Sequence, residues 1–184
     1  IGKLINIASR CSGFINKNFE GRLSSRLDDE ELFNTFSSAS EIIATHYEAR
    51  EYSKAMKHIM LLADLANRYI EEKKPWLMIK NSSKANEVQT VCTQGMNLFR
   101  LLMIYLMPVI PDIAKNVKIL FNEKKWSWDD CKNPLLDTKI SKYKPLLTRV
   151  EKEKVDKMIE ASKETTNNDN PESNSDFITI DDFL

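Results

Sequence analysis

Glycine and proline are scarce, with four Gly and six Pro in 184 residues. So few turn and breaker residues, set among plentiful helix formers, point to an all-α protein. Cysteine is scarce too. Cys11, Cys92 and Cys131 are odd in number, far apart and without a Cys-x-x-Cys pair. That argues against a disulfide framework and for a reducing, cytoplasmic setting. Long apolar runs are missing. The longest, Leu101 to Val109, follows Arg100 and is interrupted by Pro108. It is too short to span a bilayer, so no membrane partner is expected. No secretory leader is visible at the start. Net charge is zero, which argues against general coating of nucleic acid, and DNA is not expected as a partner. No Gly-rich phosphate loop, metal-ligand cluster or nucleophile with a plausible base is present, so the sequence shows no catalytic or metal-binding residues.

The charge that is present is unevenly spread. Residues 1–26 carry five Lys/Arg against one Glu, residues 28–51 seven acids against Arg50, and residues 151–184 ten acids against four Lys. The first segment is a local basic surface between acidic neighbours, and steering by it would be sensitive to salt. The chain opens on Ile1 in mid-helix pattern and reads as a piece of a longer protein.

Helical periodicity organises most of the chain. Over 1–19, Leu4, Ile7, Ala8, Cys11, Phe14 and Ile15 share an apolar face, and Gly21 is the expected terminator. Lys3, Asn6, Arg10, Gly13 and Lys17 step by three or four along the opposite side. Asp28-Asp29-Glu30-Glu31 opens a second helix with acids at its positive end; its core side is Leu32, Phe33, Phe36, Ala39, Ile43 and Tyr47. A third helix is expected over about 51–72, with Tyr52, Met56, Ile59, Ala63, Ala66 and Ile70 inward. Asp64, Asn67 and Arg68 interrupt that side, and the Asp and Asn are expected to satisfy a buried network or a neighbouring helix end. Asn81-Ser82-Ser83 caps a fourth helix, 84–107, with Val88, Val91, Gly95, Leu98, Leu102 and Tyr105 as its inner stripe and Gly95 allowing close helix approach. A fifth helix runs to about Phe121. Residues 126–150 read as an irregular strap, and 151–163 as a last helix. The polar stretch 165–175 reads as a linker, followed by a strand-like run at 177–180. The division expected is therefore a helical bundle with its C-terminal helix over 1–164 and a tail over 165–184.

The third helix closes at Lys74-Pro75-Trp76, ahead of a short turn that runs to Lys80. Proline lacks an N–H and disfavours helix at Lys74, so the earlier helix should end there and a new one begin at Pro75. Trp76 then stands at a corner, where it can wedge two helices together or offer its flat face to a partner. A basic-polar stripe and a corner indole are the parts needed to read unpaired RNA bases, by stacking and by hydrogen bonds to base edges. One base stacked on Trp76 is worth about 1–3 kcal/mol. Asn6 offers donor and acceptor together, and Arg10 can bridge two acceptors.

Several runs resemble a known family. Leu4-Ile5-Asn6-Ile7-Ala8-Ser9-Arg10 with Gly13-Phe14-Ile15-Asn16-Lys17 is similar to the first helix of the anticodon-binding domain of bacterial methionyl-tRNA synthetase. Leu62-Ala63-Asp64-Leu65-Ala66-Asn67-Arg68-Tyr69-Ile70, followed by Pro75-Trp76 and Lys80, resembles that domain's third helix and its Pro-Trp turn. Gly95-Met96-Asn97-Leu98-Phe99-Arg100 and Pro134-Leu135-Leu136 also fit. The resemblance covers roughly residues 1–164 and implies a helical bundle of the class I synthetase type. It implies that Trp76 stacks on anticodon bases while Asn6 and Arg10 bond to them, favouring CAU, and that Pro75 fixes the pose of Trp76. Lys17 lies where some relatives have an arginine near the anticodon backbone. The implied partners are the anticodon loop of tRNA(Met) and a catalytic domain preceding Ile1. There ATP, with Mg, would activate methionine for transfer to tRNA; no cofactor is implied within 1–184. The run Phe177-Ile178-Thr179-Ile180-Asp181-Asp182-Phe183 resembles the entry to a further OB-type dimerisation domain, and dimerisation is not carried over. Two other readings stand beside this one: the anticodon domain of another class I synthetase, and a non-catalytic helical scaffold in which Trp76 is core.

Overall fold

A computed structural model describes residues 2–143, 145 and 152–168. Seven α-helices are present among them: α1 (Gly2–Asn18), α2 (Glu30–Glu48), α3 (Tyr52–Lys73), α4 (Pro75–Met78), α5 (Ala85–Leu106), α6 (Pro111–Leu120) and α7 (Lys152–Asn168). Short 3₁₀ turns cover Ser82–Lys84 and Trp128–Lys132. The described residues contain no sheet, only one antiparallel bridge between Arg22 and Lys139. The all-α expectation holds.

Two compact units divide the chain, 1–147 and 148–184, whereas the sequence pattern suggested a division after 164. The second unit holds α7, which runs to Asn168, five residues past the expected Lys163. Most of the expected tail and the strand-like run at 177–180 lie outside the described residues.

Helix α5 is the axis of the first unit. All its residues from Thr90 to Leu106 are buried, together with Val88. The sequence pattern suggested one inner stripe, and the structure corrects this. Helices α1, α2, α3 and α6 all pack on α5, so from Thr90 onward no side of it faces solvent. Two of its buried polar residues, Asn97 and Arg100, are held by long-range partners. The Asn97 carboxamide donates to the Leu135 carbonyl (3.0 Å) and accepts from the Leu135 N–H (2.6 Å). Arg100, buried, makes a bidentate pair with Glu123 (2.7 and 2.7 Å) and also donates to the Asp130 and Asn133 carbonyls. Trp126 Nε1 donates to the same Glu123 carboxylate at 2.7 Å. These contacts tie 123–135 onto the bundle as a strap.

Gly95 is the point of closest packing. A Cβ built there would lie 2.6 Å from Cys11 Sγ on α1 and 2.6 Å from Ile70 Cδ1 on α3. Only a residue without a side chain lets the three helices meet. Cys11, Cys92 and Cys131 are buried free thiols.

Helix ends follow the sequence closely. Asp29 caps α2 by accepting from the Leu32 N–H at 2.8 Å. Asn81 accepts from the Ser83 N–H at 3.1 Å and leads into the turn before α5. Gly21, at φ +82°, returns its N–H to the Ile15 carbonyl (3.1 Å) and closes α1. One expected core residue is misplaced: Tyr52, the first residue of α3, is exposed and lies 6.4 Å from Tyr47, ring to ring. Position on an apolar face counts for little in the first, ragged turn of a helix.

A basic corner between helices α1, α3 and α4

Helices α1 and α3 lie side by side and run in the same direction. Lys3 Nζ meets Asp64 Oδ1 at 2.6 Å, and Arg10 Nη1 meets Glu71 Oε2 at 3.4 Å. Each pair joins residues 61 apart, so the two helices keep step over two turns. Between them Asn67 Nδ2 donates to the Lys3 carbonyl (3.1 Å) and to the Ala63 carbonyl (2.8 Å). Asp64 and Asn67 therefore bind the start of a neighbouring helix at the surface. All of these ion pairs are exposed, so each contributes at most about 1 kcal/mol. What fixes the register is the apolar seam beneath them, Leu4, Ile7, Ala8 and Cys11 against the core.

The end of α3 aims the next turn. Tyr69 is buried, and its hydroxyl donates to Asp28 Oδ2 at 2.8 Å. Burial, then that carboxylate, pushes the Tyr69 phenol well above its ordinary range. Lys73 pairs with the same Asp28 at 2.7 Å and lies over the Tyr69 ring. Lys74 then takes a left-handed conformation, φ 50° and ψ 57°. Its carbonyl accepts the Leu77 N–H at 2.8 Å, and the Pro75 carbonyl accepts the Ile79 N–H at 3.0 Å. Pro75 is buried at the first position of α4, where its fixed φ suits a helix start. Trp76 comes next, half-buried, with part of its ring against the core.

The structure brings two of the expected site residues into contact. The Arg10 guanidinium carbon lies 5.3 Å from the centre of the Trp76 ring, a cation over the electron-rich indole face. Asn6, one turn before Arg10 on α1, is exposed, and its carboxamide has no hydrogen-bond partner among the described residues. Lys17 is exposed in the last turn of α1. It stands seven residues beyond Arg10, about 10 Å along the helix, and no contact joins it to Trp76. Pro75 is buried under the corner and sets its shape. Glu71 was not among the expected residues. The signal for it was a seven-residue repeat of opposite sign, Lys3 and Arg10 on α1 against Asp64 and Glu71 on α3.

Among the described residues no group of three His, Cys, Asp or Glu side chains could hold a metal ion, and no helix is long and apolar enough to cross a membrane. His46, half-buried, pairs with Glu51 at 3.1 Å away from the corner. The corner has donors, a cation and a flat aromatic face. It can hold a planar, acceptor-rich ligand by stacking and hydrogen bonds.

Residues 22–162 match the family described as the anticodon binding domain of methionyl tRNA ligase. Solved structures of Mycobacterium tuberculosis methionyl-tRNA synthetase share the fold. The one bound by methionyl-adenylate superposes with TM-score 0.73 at 21% identity, over 79% of this chain and 31% of that one. The apo form gives TM-score 0.70 at 19% identity over the same shares. A further complex with methionyl-adenylate gives 0.70 at 18%, over 80% and 31%. The chain thus spans about a third of the length of these relatives.

Proposed function

The chain belongs to the family of methionyl tRNA ligase anticodon-binding domains, and from that premise we propose that the corner of α1, α3 and α4 reads a tRNA anticodon loop. The observation that carries this is the Arg10–Trp76 pair, a stacking face and a forked donor side by side at an exposed corner. In this reading Trp76 stacks on a base. Asn6 and Arg10 bond to base edges, and CAU is the favoured triplet. Pro75 holds Trp76 in place, and Lys17 lies near the backbone of the loop. In a full-length ligase, methionine activation with ATP and transfer to tRNA(Met) would belong to a separate catalytic domain, in the cytoplasm.

The test is a pair of variants read two ways. Trp76→Ala should keep the helical circular dichroism spectrum and weaken binding of a CAU stem-loop by about 1–3 kcal/mol. Arg10→Ala should do the same. Unaltered affinity in both would remove the assignment. Collapse of the helical signal in Trp76→Ala would favour the scaffold reading, because part of the indole packs against the core. Equal binding of CAU and other triplets would point to a different synthetase. Affinity should also fall with salt, with a log–log slope near −0.7 for each phosphate neutralised on a single strand.

A further inference from the structure

The chain between α1 and α2 is pinned from two sides. Leu23 donates its N–H to the Thr138 carbonyl at 2.8 Å, and the Ser24 carbonyl accepts the Asp137 N–H at 3.0 Å. From α5, Gln89 Nε2 reaches the Arg22 carbonyl at 2.9 Å, and Thr93 Oγ1 accepts the Ser24 N–H at 2.8 Å. Beside this pinned loop lies a cleft of about 320 Å³, whose walls include Arg22, Ser24, Arg26, Asn86, Gln89 and Asp137. Two guanidinium groups therefore face it against one carboxylate. Arg26 is exposed, and its guanidinium has no hydrogen-bond or ion-pair partner among the described residues. Arg22 Nη1 donates to the Asp137 carbonyl at 3.0 Å and lies 3.6 Å from the Asp137 carboxylate, with both side chains mostly exposed. Such a pair is readily traded. The acids next in sequence do not neutralise the cleft. Asp28 is taken by Tyr69 and Lys73, Asp29 accepts the Leu32 N–H, and Glu30 lines a neighbouring hollow.

We propose that this cleft is a second RNA contact, in which Arg26 and Arg22 seat a backbone phosphate of the arm that carries the anticodon loop. It rests on the anticodon reading of the corner and adds a site that the reading does not contain. Helix directions put the two at the same end of the bundle. Cys11 lies against Gly95, and the chain leaving α1 is bonded by Gln89, so α1 runs antiparallel to α5. Gln89 is six residues before Gly95, about 9 Å along the α5 axis from the level of Arg10. Helix α4, which carries Trp76, also packs on α5. A guanidinium fork matches the oxygens of a phosphate and bonds them two at a time. Because the loop is already tied down, little backbone freedom is lost when a phosphate arrives. Phosphate contacts set register and carry no sequence information. The cleft thus adds affinity for any loop and leaves the choice among triplets to the corner.

The 184-residue chain is titrated with stem-loops bearing CAU or a mismatched triplet. Arg26→Gln should weaken both about fivefold, by the same factor for each. Its log–log salt slope should be shallower than that of wild type by about 0.7–0.9. Arg22→Gln should cost about twofold, because part of that group's bonding goes to Asp137. Asp137→Asn keeps a residue type suited to the left-handed φ of 51° and releases Arg22. It should tighten both loops about twofold. Unchanged affinity in Arg26→Gln would overturn the proposal. So would a loss confined to CAU, which would make Arg26 a reader of bases. Inorganic phosphate at matched ionic strength separates a strand phosphate from a free one. The Ser25 backbone amide resonance should shift with the stem-loop; a shift with inorganic phosphate and none with the stem-loop would make the cleft a free-anion site and sink the RNA contact. Failure of the anticodon reading looks different. Trp76→Ala would then bind like wild type, while Arg26→Gln would still weaken every loop and keep the cleft as an RNA contact. A wild-type chain that binds no stem-loop ends both.

Discussion

Arg10 and Arg100 carry the same group and do opposite work. Arg10 has a side chain 49% exposed, one carboxylate at 3.4 Å and an indole for a floor. Arg100 is 4% exposed, doubly bonded to Glu123 at 2.7 Å and donating to two strap carbonyls as well. All three nitrogens of Arg100 donate within the protein, so it has little left for a ligand. Arg10 is held loosely enough to be taken. The contrast teaches where a charge can act: burial with full satisfaction makes a bolt, and partial exposure with a weak partner makes a contact that can be traded. Buried charge without its partner is costly, whereas surface pairs are worth little.

The contrast breaks most sharply at Glu123. Glu123→Ala strands the Arg100 charge and removes the acceptor of Trp126, and should cost about 3–5 kcal/mol in urea unfolding. The double change Arg100→Met with Glu123→Leu should recover much of that loss, since matched apolar groups replace buried pairs at little cost. Next in size comes the packing beneath the corner. Gly95→Ala should lower stability by about 1–2 kcal/mol, because crowding against Cys11 and Ile70 outweighs the gain in helix propensity. Arg10→Ala should leave stability within about 0.5 kcal/mol of wild type in the same urea titration. A larger loss would mean that Arg10 is a bolt too.

The smallest effect is in acid. Asp130 is held below the usual carboxylate range by the Ser127 backbone N–H, with the Ser127 hydroxyl and the Arg100 charge helping. A carboxyl with a lowered folded-state pKa lends stability above its unfolded value, near 4, and loses it as pH falls through the folded value. The strap should therefore loosen in acid ahead of the corner. Thermal melts below about pH 4 should fall less steeply in Asp130→Asn than in wild type; parallel curves would remove Asp130 from the account.

Much of the corner was legible in the sequence, because its signals are local. Periodicity put Asn6, Arg10 and Lys17 on one side of α1, and proline chemistry ended α3 before Pro75. The strap was legible only as an irregular stretch. Asn97 and Arg100 look like interruptions of an apolar helix until their partners at Leu135 and Glu123 come into view, 38 and 23 residues away. The inner stripe expected for α5 is only part of its buried surface, because Asn97 and Arg100 are buried too, through long-range bonds. Glu71 was hidden for the same reason, since its partner Arg10 lies 61 residues earlier.

The turn before Trp76 is stiff by construction. A lysine, where glycine would sit without strain, occupies the left-handed position at residue 74, with a proline directly after it. That choice costs about 1–2 kcal/mol of backbone strain, yet it leaves two stiff residues in tandem and no swivel between α3 and the indole. The ring waits in one posture, so on the proposed reading an arriving base would have little wandering to freeze out.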